Sequence, residues 1–246
     1  MFAPLEEAPM QRRIAYVEDD DVIRGNYSEM LRDEGFDVEA YSGKQDAIAA
    51  FQRQLPDLAL LDVSLNGERD AGFQVCSELR RLSSEVPIIF LTSHDGEMNK
   101  ISGLRLGADD YITKDASVDY IVIRIEALFR RLDAIRSAHS PVAGDQTSAE
   151  KAPGIRIDER YSSVHWKGKK IDLPLTQFWI LRDLCSNPGK ARTHRDLMNA
   201  ASIVVEPNTI TAHIKSIRDT FLAADPDFDC IKTERGKGYR WVPHEC

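Results

Sequence analysis

Four short apolar runs in this chain each stop at side chains able to do chemistry. Ile14-Ala-Tyr-Val17 runs into Glu18-Asp19-Asp20, and Leu58-Ala-Leu-Leu61 into Asp62. Ile88-Ile-Phe-Leu91 runs into Thr92-Ser93, and Tyr111-Ile-Thr113 into Lys114. Carboxylates brought together hold a hard divalent cation such as Mg²⁺, which prefers oxygen ligands. A metal and a lysine together neutralise a phosphoryl group arriving on a remaining carboxylate. A hydroxyl can bond one of its oxygens. Taken singly, a strand-end Asp is commonly a helix cap or turn former, and a strand-end Thr reflects β-propensity. Four such endings in this order are hard to explain by caps alone.

The elements needed to gather these groups are legible around them. Buried parallel strands read as short apolar runs. Here strands near 13–17, 37–40, 58–62, 88–91 and 109–112 alternate with helical patterns near 21–34, 43–54, 73–82, 96–105 and 117–136. Gly35 follows the first helix as a C′ residue does. Five βα repeats predict an α/β, doubly wound five-stranded parallel sheet with right-handed crossovers. Ligands of such sheets bind beyond the carboxyl ends of the strands, where all four endings would meet.

These motifs, with Gly107-Ala-Asp-Asp-Tyr-Ile-Thr-Lys114 the most specific, resemble the flavodoxin-like receiver domain of two-component response regulators. The resemblance implies that Asp62 is the phosphoacceptor and that Glu18 and Asp19 join it around Mg²⁺. It also makes Thr92 the switch hydroxyl, Tyr111 the switch aromatic and Lys114 the phosphate-sensing lysine. A sensor histidine kinase is the implied phosphodonor. Two positions depart from the family pattern. The loop after Asp62 carries Asn66 in place of the usual Pro, and its Gly72 lies ten residues on, implying about two inserted residues. Lys114 precedes Asp115 in place of a Pro whose peptide bond is typically cis in the family.

At 246 residues, two domains are the natural expectation. The net charge of −8 is uneven: residues 1–136 hold 16 Lys and Arg against 26 Asp and Glu, whereas 137–246 hold 16 against 14. The acidic pI thus hides a mildly basic second half, which permits contact with nucleic acid. Cys76, Cys185, Cys230 and Cys246 lack metal-ligand spacing and are expected to be reduced thiols. No apolar run is long enough to span a membrane, and the acidic N-terminus is no signal peptide, so a cytoplasmic protein without membrane contact is expected. Residues 1–11 read as a flexible tail and 12–136 as the first domain. Residues 137–154, rich in Ser, Ala, Pro and Gly, read as a flexible linker that tethers the domains without docking them.

Residues 155–246 are expected to fold separately. Strands are predicted at 155–158, 163–166 and 169–173. Thr176 is expected to cap a helix from Gln177 to Ser186, and Thr193 a helix over 194–200. A third helix is expected from Pro207 to about 223, then a hairpin with cations at a Gly-rich tip, Arg235-Gly-Lys237-Gly-Tyr-Arg240. Ile210, Ile214, Ile217 and Phe221 share one face of the third helix and should be core. Thr209, Ala212, His213, Lys215, Ser216 and Arg218 make a small, polar, mildly basic opposite face, which suits a major groove but equally suits plain solvation.

The set Leu175-Thr-Gln-Phe178, Asn187-Pro-Gly189, Thr209 to Arg218, Asp225-Pro-Asp-Phe-Asp229 and Thr233 to Arg240 resembles the winged helix-turn-helix effector of the OmpR/PhoB family. By that resemblance Ala212 and Ser216 read bases of promoter DNA, and Thr209, Lys215, Arg218, Thr233 and Arg235 touch phosphates, with Lys237 beside them at the tip. In some members the loop before the third helix contacts RNA polymerase; here it is the short apolar 200–206. The family pairs its receivers through the fourth helix, fifth strand and fifth helix. Asp110 and Arg124 match one reciprocal pair. Arg105 and Glu126 match another with the charges exchanged, implying a homodimer that rejects ordinary partners. The leading expectation is therefore a phosphorylation-switched transcription factor, not a dedicated enzyme. A DNA-binding regulator independent of phosphorylation is the second reading. A phosphatase using Asp62 is the third, weakened because Ser64 stands where the acid/base carboxylate would be.

Overall fold

A computed structural model describes residues 11–93, 96–137, 150–152, 154–159, 162–201 and 207–243. The first lobe is built from β1 (Arg13–Val17), α1 (Asp21–Asp33), β2 (Asp37–Tyr41), α2 (Lys44–Arg53), β3 (Leu58–Leu61), α3 (Ala71–Leu82), β4 (Ile88–Thr92), α4 (Glu97–Arg105), β5 (Asp110–Thr113) and α5 (Val118–Ser137). The strands form one parallel sheet in the order β2-β1-β3-β4-β5. The three central strands are buried throughout apart from Arg13, which is why they read as apolar runs without alternation. Helices cover both faces: Leu31, Ile121, Ile125 and Leu128 on one, and Ala47, Phe51, Val75 and Leu79 on the other.

The second lobe comprises β6 (Glu150–Ala152), β7 (Ile155–Asp158), β8 (Ser163–Trp166), β9 (Lys169–Ile171), α6 (Leu175–Ser186), α7 (His194–Ala200), α8 (Pro207–Ala224), β10 (Ile231–Glu234) and β11 (Gly238–Trp241). Strands β6 to β9 form an antiparallel sheet and β10–β11 a hairpin. The core gathers Trp166, Phe178, Phe221, Phe228 and Trp241, with Phe221 and Phe228 stacked at 4.4 Å between centroids. Ile210, Ile214 and Ile217 point into it, as their spacing requires.

Several expectations change. Strand β6 lies inside the stretch expected to be linker, because its backbone pairs with β7. Helix α6 starts at Leu175, so Thr176 is inside the helix and Pro174 stands at its cap; the fixed φ of proline suits that entry. At α7 the expectation holds: Thr193 and Asp196 form a reciprocal capping box. Cys76 and Cys185 are buried free thiols, but Cys230 is disulfide-bonded, contrary to the expectation that all four would be reduced. The tail at 1–10, Cys246 and most of the 200–206 loop lie outside the described residues.

The largest difference concerns the two lobes, which are packed on each other where a loose tether was expected. Leu175 and Trp179 of α6 join the hydrophobic cluster that includes Leu128 and Leu132 of α5. The amide of Thr176 donates to Asp109 Oδ1 at 2.9 Å, and Ser216 Oγ donates to the carbonyl of Arg105 at 3.2 Å. Helix α8 lies against α4.

Candidate functional site: an acidic pocket and a covered helix

The ends of β1, β3 and β5 converge as the parallel topology demands. Oxygen atoms of Glu18, Asp19 and Asp62, one from each, lie within 4.8 Å of one another. Lys114 Nζ donates to Asp62 Oδ2 at 2.6 Å and also binds Glu18 Oε2. Thr92 is fully buried at the end of β4, and its carbonyl accepts from the Lys114 amide at 2.9 Å. Tyr111, buried on β5, packs against Phe90 at 5.9 Å. Among the described residues every peptide bond is trans, Lys114–Asp115 included.

Electrostatics explains the arrangement. Burial pushes the Glu18 carboxyl above its ordinary range, and the Lys114 ammonium offsets part of that rise. Burial alone would lower the Lys114 pKa, yet its bonds to Asp62 and Glu18 leave it raised. An ammonium thus sits where three carboxylates would otherwise repel one another. The donor set is all oxygen and carries negative charge, so it fits a hard divalent cation. Asp20 serves a different end. Its Oδ1 accepts from Val22 N and Ile23 N, both at 2.9 Å, which makes it the N-cap of α1.

Three further residues shape the pocket; the two tyrosines did not announce themselves in the sequence, and the third, Asn66, stood out there only as a substitute for proline. Tyr16 donates to Glu18 Oε2 at 3.1 Å, and burial followed by that carboxylate raises its own pKa strongly. Tyr27 of α1 donates to the carbonyl of Lys114 at 3.0 Å. The lengthened loop after Asp62 folds back as a small Leu65–Glu68 turn, with Asn66 and Gly67 at positive φ. Asn-Gly was a readable signal for such a turn. Its product is a donor that proline lacks: Asn66 N bonds Asp19 Oδ2 at 2.8 Å, while the Asn66 side chain bonds the carbonyl of Ser42 at 2.9 Å.

At the second lobe the expected DNA-facing residues divide into two sets. Lys215, Thr233, Arg235 and Lys237 are exposed. Arg218 reaches across to the hairpin, donating to the carbonyl of Ile231 at 2.6 Å and to Thr233 Oγ1 at 3.0 Å. Thr209, Ala212 and Ser216 are covered instead, at 1%, 3% and 9% exposure. They and His213 make a second stripe along α8, beside its core-facing stripe, and the first lobe lies over it. The expected dimer residues also divide. Arg124 Nε bonds Asp110 Oδ2 at 2.6 Å within the chain, both groups buried, whereas Arg105 and Glu126 are exposed.

A parallel α/β lobe with this pocket, joined to a helical lobe ending in a hairpin, defines a receiver linked to a DNA-binding effector. Residues 14–126 match the family described as response regulator receiver domain, and 168–241 match transcriptional regulatory protein, C terminal. The chain belongs to the OmpR/PhoB family of two-component response regulators, the DNA-binding transcriptional regulators. It is 34% identical to the sensory transduction protein RegX3 of Mycolicibacterium smegmatis, over 92% of this chain and 97% of that one. It is 31% identical to the transcriptional regulatory protein CreB of Escherichia coli K12, over 94% and 98%. Among solved structures, a point mutant of RitR shares the fold with a TM-score of 0.70 at 24% identity, covering 94% of this chain and 98% of that one.

Proposed function

We propose that this regulator is switched by phosphorylation of Asp62, received from a sensor histidine kinase, and that the switch governs binding to promoter DNA. The convergence of Asp62, Glu18, Asp19 and Lys114 carries this reading. Asp62 is the nucleophile: one carboxylate oxygen attacks phosphorus and the donor's leaving group departs. Glu18, Asp19 and Asp62 would hold Mg²⁺, which supplies charge neutralisation at the phosphoryl oxygens. Lys114, now bonded to Asp62, transfers its bond to a phosphoryl oxygen. Thr92 moves to bond another, and Tyr111 follows into the space it leaves.

Lys215, Arg218, Thr233, Arg235 and Lys237 are the phosphate-contacting set, with Thr209 beside them, and Ala212 and Ser216 read bases once α8 is uncovered. The phosphorylated form pairs with a second copy through Arg105, Asp110, Arg124 and Glu126. RNA polymerase is a further partner at the promoter. Residues 12–136 form the regulatory domain, and the effector starts at β6, at 150, and runs to 246.

The test is Asp62→Asn, which keeps the side-chain shape and removes the nucleophile. It should abolish acyl-phosphate formation from a small phosphodonor with Mg²⁺ while leaving the fold intact. Hydroxylamine-labile phosphate persisting on the variant would refute the assignment.

A further inference from the structure

We propose that the contact between α8 and the first lobe is a latch that acid opens through His213. Helix α8 is buried along two stripes. The first is apolar and belongs to its own core. The second, Thr209, Ala212, His213 and Ser216, is covered by α4 and its neighbours, and it is mostly polar. The seam is poorly satisfied. Thr209 Oγ1, Gln177 Oε1, both ring nitrogens of His213, and Nε and Nη2 of Arg131 are buried without hydrogen-bond partners. Each such group loses hydration that opening would restore, so the contact holds by a narrow margin.

His213 is the group in this seam whose charge changes near neutral pH. It is completely buried. Strand β5 presents Asp110 to it, but that carboxylate is already held by Arg124 of α5. Helix α5 also presents Arg131, a cation. Helix α4 contributes the Arg105 carbonyl at Ser216, with the Arg105 side chain exposed to solvent. Helix α6 contributes Gln177, which is uncharged and bonds Ser216 Oγ at 3.2 Å. On α8 itself Lys215 and Asp219 are exposed, and Arg218 is turned to the hairpin. No free carboxylate awaits an imidazolium among these groups.

Burial accordingly lowers His213 to about 4 in the closed state, whereas a solvated histidine titrates near about 6.5. The open state therefore binds the extra proton. The closed state is favoured above the open-state value and loses ground as pH falls from about 6.5 towards 4. Between pH 7.5 and 5.5 the open fraction should rise about tenfold. Opening frees Ala212 and Ser216, and uncovers the face that carries Asp110 and Arg124.

The test uses the full chain with no DNA and no phosphodonor, so its outcome is independent of the phosphorylation reading. A cysteine placed in the covered stripe, Ala212→Cys, is labelled with a thiol reagent only when the latch opens. Lys215→Cys, on the exposed face of the same helix, corrects for the reagent's own pH dependence. The ratio of the two labelling rates should be low at pH 7.5 and rise about tenfold by pH 5.5. Adding His213→Leu should leave it flat. Adding Thr176→Arg, which sets a cation beside Arg131, should give a high ratio at both pH values. A ratio near one at pH 7.5, no rise by pH 5.5, or a full rise in the His213→Leu chain would each overturn the proposal.

Discussion

Gly72→Ala tests how the site is built into the fold. Gly72 opens the first turn of α3 directly against the end of β3. A Cβ added there would lie 1.8 Å from the Asp62 carbonyl oxygen and 2.9 Å from Val63 Cα. An ordinary carbon–oxygen contact is about 3.3 Å, so α3 and the Asp62 peptide must separate by about 1.5 Å. The bond from Gly72 N to the Val63 carbonyl, 2.9 Å long, would be stretched or lost, at about 1 kcal/mol. Overpacking adds about 1–3 kcal/mol. The better helix propensity of Ala returns about 1 kcal/mol. The net loss is about 1–3 kcal/mol, and the Asp62 peptide is displaced. Gly25→Ala is the matched control, because nothing lies within 4 Å of its added Cβ in α1; it should gain about 0.5–1 kcal/mol. Urea denaturation gives the stabilities, and the rate of phosphorylation by a small phosphodonor reports on Asp62. If Gly72→Ala matched Gly25→Ala in stability and phosphorylated at the wild-type rate, the close approach of α3 to Asp62 would not matter as argued.

Lys114→Ala should destabilise the receiver by about 3 kcal/mol, since Glu18 and Asp62 lose their shared ammonium, and added Mg²⁺ should restore part of that loss in thermal denaturation. Arg235→Ala should lower affinity for all duplexes and reduce the salt slope of binding by about one unit in a fluorescence titration. Arg218→Ala should do the same and also loosen β10, visible as faster amide exchange at Ile231 and Thr233, because Arg218 bonds both residues. Arg105→Glu should weaken the phosphodonor-dependent dimer in analytical ultracentrifugation, and Arg105→Glu combined with Glu126→Arg should restore it; equal dimerisation of the wild type and both variants would remove this pair from the interface.

The parallel sheet was readable because a strand buried on both faces must be apolar from end to end, as β3 and β4 are. The pocket was readable for the same reason: Asp62, Thr92 and Lys114 stand where apolar runs stop. Tyr16 and Tyr27 were not, since a tyrosine in a strand or on a helix looks like any packing residue until its hydroxyl finds Glu18 or the Lys114 carbonyl. The role of Asn66 depends on a turn folding back onto Asp19, 47 residues away, which no local pattern encodes. The packing of the lobes was hidden most deeply. Thr209, Ala212 and Ser216 are small and uncharged, so each can face solvent, DNA or another domain, and composition cannot tell these apart. The acceptor for the Thr176 amide is Asp109, 67 residues away in the chain.

Binding of the full chain to genomic DNA, followed by footprinting with and without a small phosphodonor and Mg²⁺, tests the switch itself. The wild-type protein should protect discrete sites at markedly lower concentration once phosphorylated, and Asp62→Asn should show the unphosphorylated pattern under both conditions. Identical protection by the two proteins, with or without phosphodonor, would contradict a regulator governed by Asp62.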